Sequence, residues 1–229
     1  MQTTFYARFG KRAFDTVAAF VGLLILSPVF FIVAIAVRLT SSGSAFFSQE
    51  RVGRFGKPFR ILKFRTMRVT PDASGGLLTS AGDRRITSLG RFLRKTKIDE
   101  LPQLFNVFCG DMSLVGPRPE VPLYVSCFSE DQRRVFVARP GMTGASIIIN
   151  EEALLAQAQS KEAFYLSQVL PAKLDVDLAY CEKITFFEDV RLILLTLYNL
   201  ARHSKAATAP VAALEIQHLA GVRKPFKLT

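Results

Sequence analysis

The sequence predicts an α-rich α/β protein seated monotopically on a membrane. Its expected parts are an N-terminal re-entrant helix–break–helix, a small β-hairpin and amphipathic interfacial helices. Three observations lead there. Residues 17–37 (VAAFVGLLILSPVFFIVAIAV) carry no charge, basic residues crowd both ends of that run, and short aromatic, β-branched segments beyond it alternate with helical periodicities. An anchor over 1–45, a cytoplasmic body over 46–203 and a tail over 204–229 follow from this pattern.

At 229 residues the chain is long enough to bury a core, and 49% hydrophobic against 21% charged residues excludes disorder as its main state. A mean hydropathy of +0.24 brings membrane contact into the reading from the start. The net charge of +11 is unevenly placed: residues 1–70 hold 11 basic and 2 acidic residues. Cys109, Cys127 and Cys181 have no paired spacing, so neither a disulfide framework nor a zinc site is implied.

The uncharged run is 21 residues long, and about 20 suffice to span a bilayer core. Pro28 near its middle lacks an N–H and disrupts a helix, while Ser27 can re-satisfy a freed carbonyl. Arg8, Lys11 and Arg12 precede the run; Arg38, Arg51 and Arg54 follow it. Basic flanks stay cytoplasmic, so the segment is best satisfied by entering, turning at Ser27–Pro28 and leaving by the same face. A straight crossing, a buried core helix and a signal peptide cleaved after Ala34-Ile35-Ala36 are the alternatives.

Next, Ala45 to Gln49 and Phe59 to Met67 read as hairpin strands around a turn over Gly53 to Pro58. A loop over 71–82 leads into a helix with Ile86, Leu89, Phe92 and Leu93 on one face and Arg84, Arg91, Arg94 and Lys95 elsewhere. That pattern suits either an interfacial helix or a core helix with a solvated basic face. Residues 184–202 are apolar but interrupted by Glu188, Asp189 and Arg191, which leaves a buried or an interfacial helix. His203 and His218 read as solvated, with no donors spaced to join them.

Two segments carry chemistry. In IDELPQL, Asp99 is a good helix cap and Glu100 favours the dipole; equally, two adjacent carboxylates can hold a divalent cation, and Arg84, Arg85, Arg94, Lys95 and Lys97 lie just upstream. In GDMSLVGPRPE, glycines and prolines impose a turn that aims Arg118, which can clamp a phosphate or stay solvated.

Together, KRAFD at 11–15, Ser27–Pro28, KFRTM at 63–67, GRFLRKTKIDELPQLFNV at 90–107, GDMSLVGPRP at 110–119 and RPGMTG at 139–144 resemble the bacterial sugar transferases, the monotopic polyprenyl-phosphate phosphoglycosyl transferases. The resemblance runs from about Arg8 to Arg202 and includes a closing DxxY segment. It implies transfer of a sugar 1-phosphate from a UDP-sugar to polyprenyl (undecaprenyl) phosphate at the cytoplasmic face of the inner membrane, the first membrane step of glycoconjugate synthesis. By resemblance Asp99 is the nucleophile of a covalent aspartyl-phosphosugar intermediate, UMP is released, and Glu100 holds Mg²⁺. Lys63, Arg94, Arg118 and Arg139 are the expected phosphate and nucleotide ligands, and 46–203 is the catalytic domain.

The expected partners are thus a UDP-sugar, the polyprenyl phosphate and membrane lipid, without nucleic acid; a homodimer is allowed for. One stretch departs from the pattern: after Gly144 the chain reads ASIIINEE, without the arginine many members carry. The rival readings are a hydrolase of lipid-linked diphosphates, which forms no covalent intermediate, and a membrane-tethered nucleic-acid binder using Arg51 to Arg68.

Overall fold

The computed structural model describes residues 4–68, 83–149, 151–156, 158 and 160–203. The expected loop over 71–82, the tail over 204–229 and His218 lie outside the described residues.

Helix α1 (Lys11–Thr40) is one helix of 30 residues with Pro28 inside it. With the turn before it, Tyr6–Thr40 is long and apolar enough to cross a membrane by length and composition. The expected break into two helices is therefore corrected: helical structure continues through Ser27–Pro28. Pro28 cannot donate to the Leu24 carbonyl one turn earlier, and the Ser27 hydroxyl donates there instead at 2.8 Å, so the freed acceptor is satisfied within the helix. One stripe of α1 is buried near both ends of the helix and half-buried at Leu23, Leu26, Val29 and Phe30 between them. Ala19 packs with Ile61, Leu104, Val107 and Met112, and Val33 and Val37 pack with Ala45, Phe64 and Leu93. Both halves rest on the same body, while Val17, Leu24, Ile25, Phe31, Ile32 and Leu39 on the other faces are exposed.

The hairpin forms from β1 (Phe46–Val52) and β2 (Pro58–Phe64), antiparallel, with Phe46 opposite Phe64 and Val52 opposite Pro58. β2 stops short of Met67, which pairs instead with Ile86 in an isolated bridge. That bridge brings in α2 (Ser88–Lys95), capped by Thr87, whose hydroxyl accepts from the Gly90 N–H at 2.9 Å. Leu93 is buried and Phe92 is 56% exposed, so the apolar residues of α2 divide between core and surface. α3 (Gln103–Cys109) follows and ends at Gly110, in the left-handed region at φ 97°.

The rest of the body is built on β3 (Ser113–Val115), α4 (Pro122–Val125), α5 (Glu130–Arg133) and β4 (Gly141–Thr143), with β3 and β4 parallel. Then come α6 (Glu151–Ala156), α7 (Lys161–Phe164), α8 (Leu170–Glu182) and α9 (Phe186–His203). Their shared core includes Val115, Tyr124, Tyr165, Leu174 and Leu192. α9 buries one side and exposes another: Leu192 and Asp189 are buried, whereas Phe187 and Leu194 are exposed.

Polar contacts bind α1 to this body. Lys11 Nζ meets Asp189 Oδ2 at 2.5 Å, and Asp189 also accepts from Tyr6 Oη at 2.7 Å and Tyr180 Oη at 2.6 Å. Asp15 accepts from Ser113 Oγ at 2.7 Å and from the Leu114 N–H at 3.0 Å. These partners satisfy charges and hydroxyls that would be costly to bury alone.

Candidate active site

The site forms where β2, the segment after α2 and the loop after β3 converge. Asn106 on α3 fixes β2 there: its side chain accepts from the Leu62 N–H at 3.0 Å and donates to the Arg60 carbonyl at 2.8 Å. Lys63, the next residue of β2, then reaches Glu100 Oε1 at 2.8 Å.

Asp99 and Glu100 lie on a 3-10 turn, Ile98–Glu100, ahead of α3. The capping role weighed for Asp99 is not seen: the residue at the cap position of α3 is Pro102, with no side-chain cap bond. Asp99 is instead 6% exposed, and its Oδ1 is buried without a hydrogen-bond partner. Burial, followed by the charge of Glu100, pushes its carboxyl up to about 6, against the opposing pull of Lys63, Lys97 and Arg94. Glu100 behaves oppositely. Burial disfavours its charge, but Lys63, Arg118 and Lys97 outweigh that and hold it well below the usual carboxylate range. Adjacent carboxylates are thereby set apart, one firmly ionised and tied to cations, the other more basic and with a free oxygen.

Arg118 Nη2 lies 3.6 Å from Glu100 Oε1. Asp177 Oδ2 accepts from the Arg118 backbone N–H at 3.2 Å and from Ser146 Oγ at 3.0 Å, and Asp177 Oδ1 accepts from the Ser146 N–H at 3.2 Å. One buried carboxylate thus joins the loop carrying Arg118 to the ASIIINEE segment. Close backbone approach finishes the loop: a Cβ on Gly116 would meet the Arg139 carbonyl at 2.3 Å. Behind Arg118, buried Lys173 Nζ donates to Glu120 Oε1 at 2.8 Å and Glu151 Oε2 at 3.1 Å, and Tyr165 Oη donates to Glu120 Oε1 at 2.6 Å.

Arg94 enters from α2, its Nε donating to Thr66 Oγ1 at 2.9 Å, within electrostatic reach of Asp99. Lys63, Arg94 and Arg118 are thus brought to the carboxylate pair. Arg139 is not: its Nε donates to the Gly110 carbonyl at 3.0 Å, beside Arg12, which donates to the Val107 and Phe108 carbonyls. The physical reason is that the C-terminal carbonyls of α3 have no partners within the helix and take these two guanidiniums. Sequence reasoning left Lys97 and Asp177 without roles. Lys97 showed only as one base among several, and Asp177 sat inside the DxxY segment without a visible partner.

The residues accord with a magnesium site of one kind. Among the described residues no group of three or more His, Cys, Asp and Glu side chains could hold a metal ion. Glu100 on the turn ahead of α3 offers the single carboxylate that Mg²⁺ can use when phosphate oxygens supply the rest of its ligands.

A carboxylate pair among four cations, on a body with a long apolar helix, defines a phosphate-handling enzyme. Residues 6–203 match the bacterial sugar transferase family, and the chain belongs to it; it is a transferase of phosphorus-containing groups. It is 37% identical over 194 residues to the UDP-glucose:undecaprenyl-phosphate glucose-1-phosphate transferase of Caulobacter vibrioides, covering 83% of this chain and 69% of that protein. It is 34% identical over 192 residues to the UDP-N-acetylgalactosamine-undecaprenyl-phosphate N-acetylgalactosaminephosphotransferase of Aeromonas hydrophila, covering 82% of this chain and 43% of that one. It is also 34% identical over 196 residues to a UDP-glucose:undecaprenyl-phosphate glucose-1-phosphate transferase of Escherichia coli, covering 82% of this chain and 39% of the relative.

Proposed function

We propose that the protein transfers a sugar 1-phosphate from a UDP-sugar to undecaprenyl phosphate through a covalent intermediate on Asp99. The names of the relatives support the substrates. The observation that carries the mechanism is the buried, unpartnered Oδ1 of Asp99. Burial keeps this carboxylate more basic than usual and therefore more nucleophilic, while Glu100 takes up Lys63 and Arg118.

Asp99 Oδ1 forms a bond to the β-phosphorus, the bond from that phosphorus to the bridging oxygen breaks, and its electron pair leaves on UMP. An oxygen of the lipid phosphate then attacks the same phosphorus, and the electron pair of the acyl-phosphate bond returns to Asp99. Lys63, Arg94 and Arg118 orient the phosphates and offset their charge. Glu100 would hold Mg²⁺, which would supply charge neutralisation at the diphosphate.

The same reading puts the enzyme on the cytoplasmic face of the bacterial membrane, with α1 bent at Pro28 without a break in its helical structure, so that both of its ends stay on that face. Packing of both halves of α1 on one body supports this, as do the basic residues flanking it. Cysteines introduced at both flanks of α1 should label from the cytoplasmic side alone; labelling from opposite sides would make it a simple crossing.

Intact-protein mass tests the chemistry. Purified enzyme incubated with Mg²⁺ and a panel of UDP-sugars, without acceptor, should gain one sugar-phosphate mass and release UMP. Asp99→Asn should show neither while remaining folded and membrane-bound. Turnover by Asp99→Asn would remove Asp99 as nucleophile, and free sugar phosphate without an adduct would favour hydrolysis.

A further inference from the structure

Lys97 holds an unusual position beside Asp99. Its backbone lies in the left-handed region at φ 57°, which favours glycine, and a lysine kept there points to a use for its side chain. That side chain is exposed and makes no hydrogen bond or ion pair among the described residues. The cations around it are engaged: Lys63 and Arg118 with Glu100, Arg94 with Thr66. Lys97 nevertheless acts electrostatically on both Asp99 and Glu100, and Asp99 offers a buried oxygen without a partner.

The neighbours of Lys97 fix the side from which it is approached. Ile98 packs against the cluster that joins Val33 and Val37 of the second half of α1 to Ala45, Phe64 and Leu93, and Phe92, before it on α2, is exposed. Lys97 therefore stands where the apolar anchor meets the nucleophile, the edge at which a phosphate tethered to a membrane lipid arrives.

We propose that Lys97 receives the phosphate of the lipid acceptor and delivers it to Asp99, while Lys63, Arg94 and Arg118 serve the donor diphosphate. This rests on the phosphoglycosyl-transferase reading, but acceptor binding can be measured whatever chemistry follows it. Lys97→Gly removes the ammonium at a backbone position glycine prefers, so the fold is preserved and the melting temperature should not fall.

The test is equilibrium binding of undecaprenyl phosphate to the full chain in detergent, without donor, beside undecaprenol as the phosphate-free probe. Lys97→Gly should weaken undecaprenyl phosphate about tenfold, as expected for loss of one charge-assisted contact. Undecaprenol binding should be unchanged, and Lys97→Arg should restore most of the loss. In turnover, the KM for undecaprenyl phosphate should rise while that for the UDP-sugar stays level. Unchanged phosphate-dependent binding, or an equal rise in both KM values, would overturn the proposal. Absence of an Asp99 adduct in the wild type would remove the covalent mechanism and leave this measurement standing.

Discussion

Asp99 and Glu100 are adjacent in sequence, yet their surroundings give them opposite characters. Their proximity to bases was legible in the sequence. That Glu100 takes Lys63 and Arg118 while Asp99 is buried with a bare oxygen depends on contacts 37 and 18 residues away, which spacing cannot show. Asp177 was hidden for the same reason, since its partners Arg118 and Ser146 lie on other segments. Burial pushes Asp177 up to about 6 despite those hydrogen bonds. Because its folded pKa is raised, its favourable contribution is complete below the unfolded pKa near 4 and is lost as pH rises through about 6. Between those limits the wild type should lose up to about 3 kcal/mol relative to Asp177→Asn, read as converging melting temperatures in a pH series. A constant difference would show that Asp177 does not titrate in this window.

At the scale of elements, the hairpin and α2 were legible from β-branched and helical spacing, and the α2–β2 junction was not. There a Cβ on Gly90 would lie 2.1 Å from the Thr66 carbonyl and 2.8 Å from its carbon. Both atoms are backbone, so Gly90→Ala should destabilise by about 1–3 kcal/mol, measurable by thermal unfolding. Because Thr66 holds Arg94, the same change should also lower turnover at temperatures where the variant is folded. The Ser27–Pro28 pair gave a correct chemical signal and a wrong structural consequence. Proline frees a carbonyl, serine takes it, and the helix continues where a break was expected.

At the scale of the molecule, the length and apolar character of the anchor were plain in the sequence, but its integration into the body was not. α1 shares two hydrophobic clusters with the catalytic elements and ends its buried stripe in the Lys11–Asp189 pair. Asp189→Ala would leave a buried ammonium and the hydroxyls of Tyr6 and Tyr180 without their acceptor. A loss of about 3–5 kcal/mol is expected from thermal unfolding in detergent, as for a broken buried pair. A loss below about 1 kcal/mol would mean that water reaches this pair as it does surface ones.

That pair also sets a schedule for biosynthesis. Lys11 leaves the ribosome 178 residues before Asp189, an interval of roughly 10–40 s at ordinary elongation rates. Throughout it the apolar helix exists without the helix that neutralises its first charge, and lipid or an insertion factor must hold it. Nascent chains arrested before Asp189 should therefore be held at the membrane by α1 alone, and final docking of the anchor becomes a late event that awaits the completion of α9.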